Sequence, residues 1–131
     1  REGYYDLEIV DTLLSKSSDT ELFPITFMFI RVRMGDRYFS RDAIFRIMDF
    51  IKGSMGKNHV TAELSKGYFV VIMYKTDLAA AEKTREEMLS KWEAFSKGAE
   101  LETVLREVVS TENPRNTFYH EKDRLLDLAN W

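Results

Sequence analysis

The stretch His59 to Tyr74, HVTAELSKGYFVVIMY, constrains the fold of this chain more than any other. Residues alternate up to Leu64, Ser65-Lys66-Gly67 supplies a bend, and Tyr68 to Tyr74 is almost wholly apolar. Alternation has the two-residue period of a strand, and a short glycine-containing bend turns the chain back on itself as a β-hairpin. A second apolar run, ITFMFIRVR from Ile25 to Arg33, is rich in β-formers and uncharged until Arg31. It reads as a central strand that ends in charge.

Helices are expected between and around these strands. In YDLEIVDTLLSK, Leu7, Val10 and Leu14 share one helical face, with Ile9 and Leu13 beside them, and SSDTE breaks the pattern. After a turn at MGDRY, Ser40 can cap a helix whose Ile44, Ile47, Met48 and Ile51 form a core stripe, with Gly53 as its stop. Thr76 or Asp77 caps a long helix through Lys97, with Ala81, Thr84 or Arg85, Met88, Trp92 and Phe95 on its buried side and Gly98 at its end. LETVLREVVS alternates enough for a strand, and a helix would also fit; TENPRN reads as a loop. The tail from Thr117 to Trp131 has Phe118, Leu125, Leu128 and Ala129 at roughly helical spacing.

The order is helix, strand, helix, hairpin, helix, strand, helix. Its centre is β-α-β-β-α-β, the ferredoxin-like arrangement of an α+β sandwich: an antiparallel sheet beside two helices, here with extra helices at both ends. At 131 residues the chain suits one domain spanning residues 1–131. It starts at Arg1 and reads as a fragment of a longer multidomain protein.

Composition then removes whole classes of function. A net charge of −3 gives no global pull towards nucleic acid or acidic membranes. With no cysteine there is no disulfide, thiolate metal site or cysteine nucleophile, which suits a cytoplasmic setting. The longest apolar runs fall far short of the ~20 residues that span a bilayer. His59 and His120 lack zinc-type spacing, the serines lack a G-x-S-x-G context, and the glycines are scattered at turns. His120-Glu121 could serve acid–base chemistry, although a surface helix position explains it as well.

The hairpin and its neighbours resemble GGDEF domains, the diguanylate cyclase family, over about residues 5 to 96. Ala62, Leu64, Phe69 and the Val70-Val71-Ile72-Met73 run fall in register with the family's hairpin and following strand. FPITFMFIRV looks like its first strand, GDRYFSRDAIFRIMDFIK like its G-D-x-x-L segment and next helix, and KTDLAAAEKTREEM like its post-hairpin helix. The resemblance places the signature loop on Ser65, Lys66, Gly67, Tyr68 and Phe69, so both turn acids are missing. It places the family's metal-binding aspartates at about Arg31 and Arg33, and the nucleotide-contacting F-K-x-x-N-D segment looks deleted. Lys66 cannot ligate Mg²⁺, and cyclase chemistry needs metal ions to hold the triphosphate. The R-x-x-D product site would fall on Gly56 to His59, GKNH, without its arginine or aspartate. Two other R-x-x-D strings, Arg33 to Asp36 and Arg124 to Asp127, are of a length that arises by chance.

Arg31, Arg33, Arg37, Arg41 and Arg46 crowd into sixteen residues. With Lys66, Arg31 and Arg33 could form an anion or nucleotide pocket that Glu63 would blunt; alternatively these are rim charges paired with Asp36, Asp42 and Asp49. Tyr4, Tyr5, Phe118, Tyr119 and Trp131 near the chain ends could form a docking patch or simply pack on the sheet. The expectation is a degenerate GGDEF-like domain: not an enzyme, without cofactor or metal, and a regulatory or protein-interaction module in bacterial cyclic-di-GMP signalling. Its partners would be neighbouring sensor or output domains, another protein or a second copy. It would touch neither nucleic acid nor membrane, and would lie in the cytoplasm even if the whole protein is membrane-anchored. The alternative is a receiver that binds a nucleotide or cyclic-di-GMP through the arginines; an unrecognised palm-type enzyme is a third reading.

Overall fold

A computed structural model describes residues 5–17, 19–33, 40–56, 58–65, 67–96 and 98–127. The elements run in the order α1 (Leu7–Ser15), a short 3₁₀ turn (Thr20–Leu22), β1 (Ile25–Arg33), α2 (Arg41–Ser54), β2 (His59–Ser65), β3 (Tyr68–Met73), α3 (Leu78–Ser96), β4 (Glu100–Val108) and α4 (Pro114–Asp127). The strands form one antiparallel sheet in the order β2-β3-β1-β4. This is the ferredoxin-like β-α-β-β-α-β arrangement with a helix added at each end.

The continuous apolar runs of β1 and β3 are explained by burial on both faces. Met28, Ile30 and Val32, with Phe69, Val71 and Met73, meet the Ile44, Ile47, Met48 and Ile51 stripe of α2 and Ala81, Met88 and Trp92 of α3. The alternate residues Ile25, Phe27 and Phe29, with Val70 and Ile72, meet Val10 and Leu14 of α1 and Phe118 and Leu125 of α4. Pleating sends successive side chains to opposite faces, so a strand sandwiched between two helix layers is apolar on both. The one buried polar side chain of β1, Thr26, donates to the Thr76 carbonyl at 2.8 Å.

The caps agree closely with the sequence. The Ser40 Oγ accepts from the Ala43 N–H at 3.1 Å, and Asp77, rather than Thr76, accepts from the Ala80 N–H at 2.8 Å. Gly98 takes a positive φ of 105° just beyond α3, a conformation that strains any residue with a Cβ. Residues 101–108 are strand.

Three expectations need correction. TENPRN is not a loop throughout: Asn113 caps α4 through its side-chain oxygen, which accepts from the Asn116 N–H at 3.0 Å, and Pro114 opens the helix. Proline is well placed there, because a first-turn N–H would have no intrahelical acceptor. Gly53 does not stop α2, which runs to Ser54 with Met55 as its cap. Phe95 is not buried but 39% exposed, stacked on Phe50 at 4.6 Å between ring centres. Leu128, Ala129, Tyr4 and Trp131 lie outside the described residues. Of the remaining end aromatics, Phe118 is fully buried and Tyr119 donates to Asp11, so both pack the fold, while Tyr5 is exposed.

Candidate functional site

The end of β1 and the hairpin bend are neighbours. The Val32 N–H donates to the Gly67 carbonyl at 2.7 Å, and Gly67 adopts a positive φ of 76° that closes the bend. Arg31 sits between Tyr68 of β3 and Glu102 of β4 in the cross-strand register. Parity with Phe27 and Phe29 puts Arg31 and Arg33 on the face covered by α1 and α4. Arg33 reaches diagonally to Glu102, Nε to Oε1 at 2.7 Å, with both side chains about one-third exposed (32% and 29%).

The C-terminal half of α4 approaches this pole. Tyr68 is only 4% exposed, its ring tilted against Phe29 at 6.5 Å. Burial pushes its phenol pKa strongly up, the Glu121 carboxylate adds to that, and Arg31 and Arg124 oppose it. Glu121 is itself nearly buried and pairs with Arg124, whose Nε donates at 2.9 Å. That hydrogen bond holds Arg124 more firmly protonated than usual. Further along, α4 is tied to α1: Tyr119 Oη and Arg115 Nε both donate to Asp11 Oδ1 at 2.8 Å.

The arginine crowding seen in sequence is therefore divided by the sheet. Arg41 opens α2 on the opposite face, where Nη1 lies 3.1 Å from both oxygens of Glu63 and the guanidinium covers Phe45 at 4.9 Å. The acids expected to pair with the cluster were Asp36, Asp42 and Asp49. Arg33 pairs with Glu102 across the β1–β4 register, and Arg41 pairs with Glu63 from the start of α2. Glu63 does blunt positive charge, but that of Arg41. Lys66, Arg37 and Asp36 lie outside the described residues, so the proposed convergence of Arg31 and Arg33 on Lys66 does too. Of the two R-x-x-D strings, Arg33 pairs with Glu102 and Arg124 with Glu121, while Asp36 and the Asp127 side chain lie outside the described residues.

Two open hollows flank the pole, and acids line both. One of about 380 Å³ includes Asp6, Glu8 and Glu63 with Arg41; another of about 470 Å³ includes Glu93, Glu100 and Glu102. Among the described residues no group of three or more His, Asp or Glu could hold a metal ion. Where the resemblance puts metal-binding aspartates stand two guanidiniums, so these residues do not fit a divalent cation. His120 is exposed on α4 while Glu121 turns inward to Arg124, so the two are not an acid–base pair. Sequence reasoning missed Glu102 and read Glu121 beside His120 rather than with Arg124, since nothing in a local window shows what β4 and α4 lie against.

The architecture has close counterparts. The GGDEF domain of FimX from Pseudomonas aeruginosa superposes with a TM-score of 0.73 at 12% identity, over 93% of this chain and 86% of that one. The fold is that of a GGDEF domain. A DGC protein from Thermotoga maritima agrees equally well, with a TM-score of 0.73 at 15% identity over 96% of both chains. The GGDEF domain of YfiN from P. aeruginosa gives 0.67 at 16% identity, over 91% of this chain and 85% of that one. No family model matches the sequence, and no curated protein matches it either. The GGDEF likeness is thus carried by topology and core pattern. No helix among the described residues is long and apolar enough to cross a membrane.

Proposed function

We propose that this GGDEF-like domain does not make cyclic-di-GMP and serves as a regulatory or protein-interaction module, within the cytoplasm, of a larger bacterial signalling protein. The observation that carries this reading is the Arg31–Arg33 end of β1. Positive charge occupies the position that a cyclase would use to gather Mg²⁺, and Glu102 beside it is already engaged by Arg33. Phosphoryl transfer without metal loses the electrostatic stabilisation that carries most of its catalysis. Two proteins of similar fold have partners: SiaD is a diguanylate cyclase in complex with its activator SiaC, and the coiled coil and GGDEF domain of DgcB from Caulobacter crescentus are in complex with c-di-GMP. A protein partner suits this chain better than a dinucleotide, because the hollows beside the pole carry carboxylates that would repel phosphates.

Incubation with GTP and Mg²⁺ or Mn²⁺, followed by chromatography, tests the first part: no cyclic-di-GMP is expected, and its formation refutes inactivity. Thermal shift tests the second. Cyclic-di-GMP or GTP at 100 times a dissociation constant would add about 2.7 kcal/mol. No change in Tm is expected, and a concentration-dependent rise abolished by substituting Arg31 and Arg33 would establish the receiver instead.

A further inference from the structure

The two edges of the sheet are treated differently. At β2 the backbone is already engaged: the Glu63 N–H donates to the Tyr5 carbonyl at 3.0 Å, Tyr5 bridges Ala62 in parallel, and a bulge lies between Glu63 and Ser65. Bulges and added segments are standard ways to stop an edge from pairing with another chain. At β4 there is no bulge and no added segment, and among the described residues one outward group, the Glu107 carbonyl, is met by a side chain, Arg106 Nη1. The nine residues of β4 pair with β1 without interruption from Glu100 to Val108, contain no proline, and carry no lysine. Among the described residues, no other element makes a backbone hydrogen bond to it.

The ladder shows which β4 groups face outward. Because the Val32 N–H bonds to Gly67, the even residues of β1 bond to β3 and the odd ones to β4. Their β4 partners are Glu100, Glu102, Val104, Arg106 and Val108. Leu101, Thr103, Leu105 and Glu107 therefore direct their N–H and C=O groups out of the sheet. A two-fold antiparallel pairing centred on Val104 sets Thr103 opposite Leu105, where each outward donor meets an outward acceptor, and Leu101 opposite Glu107, whose carbonyl would exchange Arg106 Nη1 for the Leu101 N–H. The same register puts Glu102 opposite Arg106 twice, in the closer, non-hydrogen-bonded pair type, so that the Arg33–Glu102 and Arg106–Glu112 pairs of each copy would join into one charge network across the seam. Exposed Val109, at 43%, then falls opposite Ala99.

We infer that β4 is a self-complementary docking edge whose partner is a second copy of this chain, joining two sheets into one through Leu101 to Glu107. This names a partner for the interaction module proposed above and rests on that reading.

The test is the mass of the chain by light scattering across a concentration series. Twice the 15.4 kDa of one copy is expected at high concentration. Thr103→Pro removes an outward N–H without touching a bond to β1, and should halve the mass while the circular dichroism stays native. Arg106→Glu should also give monomers by placing Glu opposite Glu102, and Glu102→Arg combined with Arg106→Glu should restore the dimer. Monomers at every concentration, or a dimer that survives both single substitutions, overturn the self-pairing. Since GTP turnover is read separately, a monomeric chain without turnover sinks this inference and leaves the proposed inactivity standing.

Discussion

Replacing Phe118 by alanine should be the most damaging single truncation on α4. Its ring has no solvent exposure and lies 5.7 Å from the Phe27 ring, edge-on, and 5.8 Å from Phe29, stacked. Burial of a large apolar side chain and the cavity left by its removal together cost ~3–5 kcal/mol for Phe to Ala. Phe27 and Phe29 sit on the central strand and cannot move to fill the space, whereas α4, at the edge of the layer, can settle inward. That favours the lower end, about 3 kcal/mol, which for a chain of this size lowers Tm by roughly 10 °C. Phe95→Ala is the control: at 39% exposed, its ring is already partly in water, and ~1 kcal/mol is expected. Urea denaturation followed by circular dichroism measures both. A Phe118→Ala loss no larger than that of Phe95→Ala would show that α4 is not held to the sheet by this ring. Hydrogen exchange adds a local readout, because α4 amides should lose protection before those of β1.

Thr61 is 2% exposed and its hydroxyl has no hydrogen-bond partner among the described residues. Thr61→Val keeps the shape and removes an unsatisfied polar group, so a gain of about 1 kcal/mol in urea stability is expected, and a loss would refute the assignment. Tyr119, then Arg115, hold the Asp11 carboxyl below its ordinary value of 3.8. A lowered native pKa contributes stability above the unfolded value and loses it as pH falls through the native one. Asp11→Asn should therefore flatten the acid limb of a urea-midpoint profile below about pH 4, and an unchanged limb would exclude the α1–α4 tie as its source.

Much of the fold was legible because its signals are local. The hairpin residues, the Ile44-Ile47-Met48-Ile51 stripe, and the Ser40 and Asp77 caps each declare themselves within a few positions. The misreadings were local as well. Asn113-Pro114 looks like a turn, yet the same pair makes a helix cap and first residue, and only the helix packed on the sheet beyond it decides between the two. Phe95 fits the helical stripe of α3 but stands near its last turn, where the sheet no longer covers it.

The sequence by itself determined the first three strands, the helices around them and the positive charge at the end of β1, because periodicity and residue identity need no distant partner. Tertiary structure alone decided what that charge does. Register between β1 and β4 joined Arg33 to Glu102, the sheet separated Arg31 from Arg41, and α4 brought Glu121 towards Tyr68. A slip of one residue in that pairing would send Glu102 to the face away from Arg33, and no local pattern encodes it.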